Sequence, residues 1–426
     1  MKDIILTGSR LVFSKTARNT YTLFLGNTLD AFLAFLFTVL TFRLLSTSDF
    51  GIFSAINNFI VLAFSILDIG IGSGVINFIS FHHTLNPEKS REYFKAGLIL
   101  RATLASVISL VLIGFSWIIS PRFFLTQEVP SVMLAGIAIL GLSILDIVTF
   151  SLQGYQKFLQ SAISSTSFSM IRVLFILLVI SLKIEYSVTL AMFFSAVAPI
   201  VGVAIGLNFL KFSFRESHPS LSTYRSLLSF SGWVGINKLA SSIAGRVDVQ
   251  ILLLLAGPAI TGIYSVASRI ASFYAVIITS FSAVVAPKLA SGKPLRQLRP
   301  LLLKSILAQI GLISIMIFGI FISKPFILLL FGSKAEESIT PFQGLTLANI
   351  PFIASSLSII IIIYNLKKPK IIGLLSLFQA AIMIAGNILL IPRLGTLGPI
   401  ITLGLANTVV LIVTSMVVFS HWKSQR

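Results

Sequence analysis

Apolar runs of roughly 20 residues or more, the length a helix needs to cross a hydrocarbon core, recur about a dozen times along this chain. Hydrophobic residues make up 56% of the sequence and charged residues 11%, whereas an ordinary soluble domain carries about 25% charged residues. A chain of this kind can bury its surface only in a lipid bilayer. Long polar stretches are absent, so no extramembrane domain of any size is expected. The sequence has no cysteine, which excludes disulfides, thiolate metal sites and cysteine nucleophiles. Its four histidines, His82, His83, His218 and His421, all lie outside the apolar runs. No metal site or other cofactor is expected.

The net charge of +19 would suggest nucleic acid in a soluble protein. Here the basic residues sit in short joints between apolar runs, which is the positive-inside pattern, and no nucleic-acid partner is expected. The spans read as 21–45, 50–81, 93–120, 130–152, 161–182, 188–210, 231–257, 259–289, 303–330, 341–365, 370–391 and 397–420. Prolines and glycines punctuate the joints, among them Pro87, Pro121, Pro130, Pro258, Pro341, Pro369 and Pro392. Twelve crossings place both termini on one side. Joints on that side and their immediate flanks carry 21 Lys and Arg, and those on the other carry six: Arg43, Arg122, Lys183, Lys324, Lys334 and Arg393. Orientation follows this bias, so the termini are expected in the cytoplasm. The basic N-terminus precedes a retained first helix, since no small-residue cleavage site follows it. Residues 1–18 are expected to form a short basic amphipathic segment on the inner surface.

The segment Gly51-Ile52-Phe53-Ser54-Ala55 returns as Gly262-Ile263-Tyr264-Ser265-Val266, 211 residues later and close to half the chain. In both places a small-residue joint is followed at once by a long helix. The expected organisation is six helices plus six helices, with an N-terminal lobe over 1–210, a cytoplasmic linker over 211–230 and a C-terminal lobe over 231–426. An even number of crossings per repeat gives both halves one orientation and a pseudo-two-fold axis along the membrane normal.

Three stretches carry a family resemblance. The first runs from Leu44-Leu45-Ser46-Thr47-Ser48-Asp49-Phe50-Gly51 to Leu67-Asp68-Ile69-Gly70-Ile71-Gly72. The second holds Val247-Asp248, Gly257-Pro258, Gly262-Ile263-Tyr264-Ser265-Val266-Ala267-Ser268-Arg269 and Pro287-Lys288-Leu289-Ala290. The third joins Lys367-Lys368-Pro369-Lys370 to Asn387-Ile388-Leu389-Leu390-Ile391-Pro392-Arg393-Leu394-Gly395. Together they resemble the polysaccharide-transport family of flippases, the Wzx-type O-antigen flippases among them. That family belongs to a superfamily (MOP) that includes MATE drug exporters and lipid II flippases. The resemblance implies an all-α integral membrane protein of the MATE-like kind, two six-helix lobes around a central cavity. It implies translocation of a polyprenyl-diphosphate-linked oligosaccharide across the bacterial cytoplasmic membrane, by a monomer, without nucleotide hydrolysis. A polysaccharide polymerase and glycosyltransferases are its implied partners. The sequence has no Walker-type glycine loop. Lipid II flippases usually have fourteen helices, and this chain reads as twelve.

A charge at mid-bilayer costs about 2.5–3.5 kcal/mol on insertion scales, so each one needs a partner or a wet cavity. Within the spans lie Asp30, Asp68, Arg101, Asp146, Arg172, Lys238, Arg246, Asp248 and Arg269. Arg246, Arg269, Lys238 and Arg172 are the candidate substrate-binding residues. Guanidinium suits a diphosphate because it offers bidentate donors and stays charged. The alternative is ion pairing between helices within a lobe. Arg101 is expected to snorkel to the nearby surface. Asp30, Asp68, Asp146 and Asp248 are candidates for in-lobe ion pairs or for H⁺ or Na⁺ coupling, with Asp30 the foremost coupling candidate. In a continuous helix Arg246 and Asp248 stand about 200° apart and cannot pair. Arg246 is therefore assigned to the cavity or its rim and Asp248 to an in-lobe partner, with the reverse as the alternative. Asn58 holds the repeat position of Arg269, so the first lobe lacks the charge that the second has.

Gly70, Gly72 and Gly74 form a GxGxG inside a span, where small residues allow close helix contact. Pro199 and Pro351 fall inside spans and are expected to kink them. Two rival functions remain at this level. A MATE-like multidrug or cation antiporter would favour an acidic, aromatic cavity. A membrane glycosyl polymerase or ligase would need an acid/base set on a sizeable outer loop, and the longest outer joint, about residues 323–340, has none that convinces.

Overall fold

The computed structural model describes residues 15–68, 70–210, 218–290 and 294–424. The expected amphipathic segment over 1–18 falls almost wholly outside them. Every regular element among the described residues is helical. In chain order the α-helices are α1 Lys15–Leu44, α2 Thr47–Asp68, α3 Ile71–His82, α4 Pro87–Gly114, α5 Ser116–Phe123, α6 Val129–Gly154, α7 Phe158–Leu182 and α8 Val188–Leu210. They continue as α9 Leu221–Ala244, α10 Val247–Ala256, α11 Pro258–Ala271, α12 Phe273–Leu289, α13 Arg299–Phe321, α14 Ser323–Phe331, α15 Ile339–Ile360, α16 Pro369–Leu394 and α17 Leu397–Ser424. A six-residue 3₁₀ segment, Ser333–Ser338, precedes α15, and a π-helical turn, Ile361–Asn365, follows it. Eleven described segments are long and apolar enough to cross a membrane. The seventh expected span, 231–257, is divided between α9 and the shorter apolar α10.

Several expected spans are broken, among them the second and the seventh. The second span, 50–81, is two helices because Gly70 adopts φ +77°, a left-handed conformation that stops α2 and starts α3. The GxGxG thus does two jobs. Gly70 makes the break, and Gly72 lets Phe150 of α6 lie where a Cβ would otherwise sit. The seventh span breaks at Gly245–Arg246, where Arg246 leaves helical dihedrals (φ −140°, ψ −12°). The segment expected as a linker, 211–230, is helical from Leu221 onward.

The chain forms two compact units, Met1–Leu45 with Phe59–Leu239, and Ser46–Asn58 with Ala240–Arg426. The first is organised around α6, whose small residues admit its neighbours. Gly141 faces Pro199 of α8, and Gly202 and Gly206 of α8 approach Leu145, Val148 and Ser164. Ser164 of α7 donates to the Gly202 carbonyl (2.8 Å). The core here includes Ile71, Val75, Ile79, Phe94, Ile147, Val148 and Leu152, and Leu227 of α9 joins it. Thr223 of α9 donates to Glu92 (3.0 Å), which also pairs with Lys89 (2.8 Å). The start of α9 is therefore bound into the first unit.

In the second unit the first turns of α2 pack on α11. A Cβ on Gly51 would overlap the Pro258 carbonyl oxygen, and a Cβ on Gly262 would overlap the Thr47 carbonyl oxygen. The two repeat-related glycines thus form one tight crossing, in which each helix occupies the space that a side chain on the other would need. Helices α15, α16 and α17 complete this unit, with Gly386 against Thr402 and Gly344 against Ile400.

Candidate functional site: charges inside the two units

In the first unit Arg101 of α4 is fully buried and does not snorkel. Its Nη1 donates to Asp68 Oδ1 at the end of α2 (3.0 Å) and its Nη2 to Asp146 Oδ2 of α6 (2.9 Å). The guanidinium also lies 5.0 Å from the centroid of the Phe64 ring. Asp68 Oδ1 accepts the Gly72 backbone N–H as well (3.1 Å), so the break at Gly70 is tied to the ion cluster. Counting residues from the helix end places Arg101 near the surface, but two carboxylates on neighbouring helices hold it inside. Its Nε lacks a hydrogen-bond partner, as does the buried Ser143 Oγ one turn before Asp146.

Arg172 of α7 is also buried. Its guanidinium carbon is 4.6 Å from the ring centroid of Phe37 and 4.0 Å from that of Phe168. Asp30 of α1 is half-buried. By count, the spans of the first unit hold three cations, Arg101, Arg172 and Lys238, against three carboxylates, Asp30, Asp68 and Asp146. The side chain of Lys238 lies outside the described residues.

The spans of the second unit carry a cationic surplus. Asp248 is buried in the first turn of α10, where its Oδ2 accepts the Tyr264 hydroxyl (2.5 Å) and its Oδ1 the Val249 N–H (2.8 Å). Arg246 is half-buried and sits in the break itself. The angle between Arg246 and Asp248 expected for an unbroken helix does not apply, because Arg246 is not helical. Its carbonyl accepts from Asn58 Nδ2 of α2 (2.7 Å). Arg269 lies half-buried near the end of α11. Two arginines therefore stand against one carboxylate that already has hydroxyl and backbone donors.

Three uncharged polar residues join the charges, and Asn58 is already marked in the sequence as the repeat counterpart of Arg269. Asn58 is a clamp on the broken helix, and Tyr264 is the partner of Asp248. Asn387 of α16 is fully buried, and both its amide nitrogen and its amide oxygen lack partners. A lone Asn or Tyr inside an apolar run is the signal available for each. No group of three or more His, Cys, Asp or Glu that could hold a metal ion occurs among the described residues.

The chain is similar to several solved transporter structures. One is an inward-facing multidrug-resistance MATE family transporter of the MOP superfamily, with a TM-score of 0.78, 14% identity and coverage of 93% of this chain and 96% of that one. Another is the lipid II flippase MurJ in an inward closed conformation, with a TM-score of 0.75, 14% identity and coverage of 93% and 87%. A third is a MOP superfamily transporter from Pyrococcus furiosus, described as having a binding pocket of reverse polarity, with a TM-score of 0.65, 13% identity and coverage of 93% of each chain. Identities this low show the shared fold alone. No curated protein sequence matches the chain. A model of the family described as polysaccharide biosynthesis protein matches residues 16–293. That match covers more than half of the sequence, and the chain belongs to the polysaccharide biosynthesis protein family.

Proposed function

We propose that this protein is a flippase that moves a polyprenyl-diphosphate-linked oligosaccharide, an O-antigen, capsule or exopolysaccharide repeat unit, from the inner to the outer leaflet of the cytoplasmic membrane. It works by alternating access without hydrolysing a nucleotide, with both termini in the cytoplasm. The observation that carries this reading is the charge balance of the second unit. Half-buried Arg246 and Arg269 exceed the single carboxylate, and Asp248 is engaged by Tyr264. A surplus of guanidinium inside a membrane suits a diphosphate, which accepts bidentate hydrogen bonds and balances the charge. An exporter of organic cations gains nothing from such a surplus.

The test is a flip assay on protein reconstituted in vesicles with a fluorescent polyprenyl-diphosphate sugar. The wild type is expected to move the probe across the bilayer and to leave fluorescent organic cations where they are. Arg269→Ala and Arg246→Ala are expected to lower the rate at least tenfold at equal protein level, about the effect of losing 1.4 kcal/mol from one charge-assisted contact. Arg269→Lys is expected to retain part of it. Unimpaired flipping by both alanine variants would overturn the assignment of these residues. Cation efflux without lipid flipping would overturn the function.

A further inference from the structure

The joint between α15 and α16 is built unusually. After the π turn Ile361–Asn365 the backbone closes through Leu366 N to Ile361 O (3.0 Å) and Lys368 N to Ile362 O (2.9 Å). Lys367 is held at φ +55°, a left-handed conformation that glycine adopts at less cost. Asn365 pins the turn by donating to the Leu289 carbonyl (3.2 Å). Beside it lies a cavity of about 510 Å³ between this joint and the end of α17. Lys368, Ser420 and His421 form its polar part, and Ile371 and Met416 line its apolar side.

Two properties of the surroundings define what fits. The first is charge. Lys367, Lys368, Lys370 and Lys423 cluster at these helix ends, and the sequence contains no Asp or Glu after Glu337. Neither α12 nor α15, which pack against the joint, carries an acidic residue. The first turn of α16 has no acidic residue, and no side chain caps it, so its N-terminal backbone donors also face an anion-poor surface. The second property is apolar continuity. From Ile371 and Met416 the surface continues over Leu374, Phe378 and Ile412, all large exposed apolar side chains on the membrane-spanning part of α16 and α17. A soluble anion would use only the polar end of this site.

We infer that this cavity binds the headgroup of an anionic phospholipid, with its phosphate at Lys368, Ser420 and His421 and its acyl chains lying down α16 and α17. Basic pockets between helices at the membrane surface bind acidic lipid heads in this way. The site involves neither Arg246 nor Arg269 and does not rest on the flippase reading.

Trp422 follows His421 directly and serves as the reporter once Trp117→Phe and Trp233→Phe leave it as the sole tryptophan of the full chain. In phosphatidylcholine nanodiscs, a minor fraction of brominated phosphatidylglycerol is expected to quench Trp422 more strongly than the same fraction of brominated phosphatidylcholine. Lys368→Gln is expected to weaken that preference about fivefold, the fold-change for one lysine near an anionic surface. Lys304→Gln, an exposed lysine on α13 outside the cavity, is expected to leave it unchanged. Equal quenching by the two lipids would overturn the inference, as would an unchanged preference in Lys368→Gln. Displacement of brominated phosphatidylglycerol by inorganic phosphate would overturn the lipid as occupant and leave a simple anion site.

Discussion

Replacing Arg101 by methionine isolates what a buried ion cluster does in this fold. Methionine keeps a flexible, unbranched apolar stem, shorter than that of arginine, and removes the charge and the donors. The wild-type guanidinium makes two charge-assisted hydrogen bonds, of 3.0 Å to Asp68 and 2.9 Å to Asp146, and has no exposed surface. Each such bond is worth about 1.5–3 kcal/mol. Removing one partner of a buried pair costs about 3–5 kcal/mol, because the remaining charge stays unpaired in a low-dielectric interior. Here two carboxylates are left facing each other across the same space. The expected cost of Arg101→Met is therefore at least about 4 kcal/mol, nearly three decades in an unfolding equilibrium. Denaturant unfolding in mixed micelles, followed by circular dichroism, measures it. The triple variant Arg101→Met with Asp68→Asn and Asp146→Asn is expected to recover at least half of the loss. Neutral replacements of a whole buried cluster often cost little, and the amide oxygen introduced by Asp68→Asn could still accept the Gly72 N–H. A triple variant no more stable than Arg101→Met would refute charge compensation as the role of Arg101. A single variant as stable as the wild type would refute the cluster altogether.

Three further substitutions probe packing in the second unit. Gly51→Ala and Gly262→Ala should each cost about 1–3 kcal/mol by overpacking one crossing, with the double variant well short of the sum because the first alanine has already separated the helices; additive losses in a double-mutant cycle would place the two glycines at independent contacts. Asn387→Leu keeps the branched four-atom skeleton at a larger volume and removes two buried polar atoms without partners, so thermal unfolding should show little change in stability; a loss above about 3 kcal/mol, beyond what overpacking costs, would mean that the amide is satisfied in the membrane by a bound species.

How much of this arrangement was legible depended on which constraint wrote each feature into the sequence. The bilayer sets a length and forbids unpaired backbone groups in lipid, so the apolar spans stand out from composition alone. The broken helices were only partly legible. Gly70 has a sequence signature, because glycine adopts the left-handed conformation at no steric cost. Arg246 has none, and a helical wheel drawn through it assumes a continuity that the Asn58 clamp helps to end. The charges divide in the same way. That Arg101 needs partners follows from its place inside a span, but which partners does not. Asp68 lies 33 positions before it and Asp146 45 after it, on helices that meet only in the folded unit. The pentapeptides at positions 51–55 and 262–266, alike at three of five residues, show the limit most clearly. The sequence reads them as evidence of duplication. In the structure the glycine of the first sits against the helix that carries the other copy, and the reverse holds too, so each copy is also the other's packing surface. A repeat preserved for ancestry alone would leave the two glycines free to diverge. One preserved because the copies touch ties them to each other, and that is why the double variant, rather than either single one, is the informative measurement.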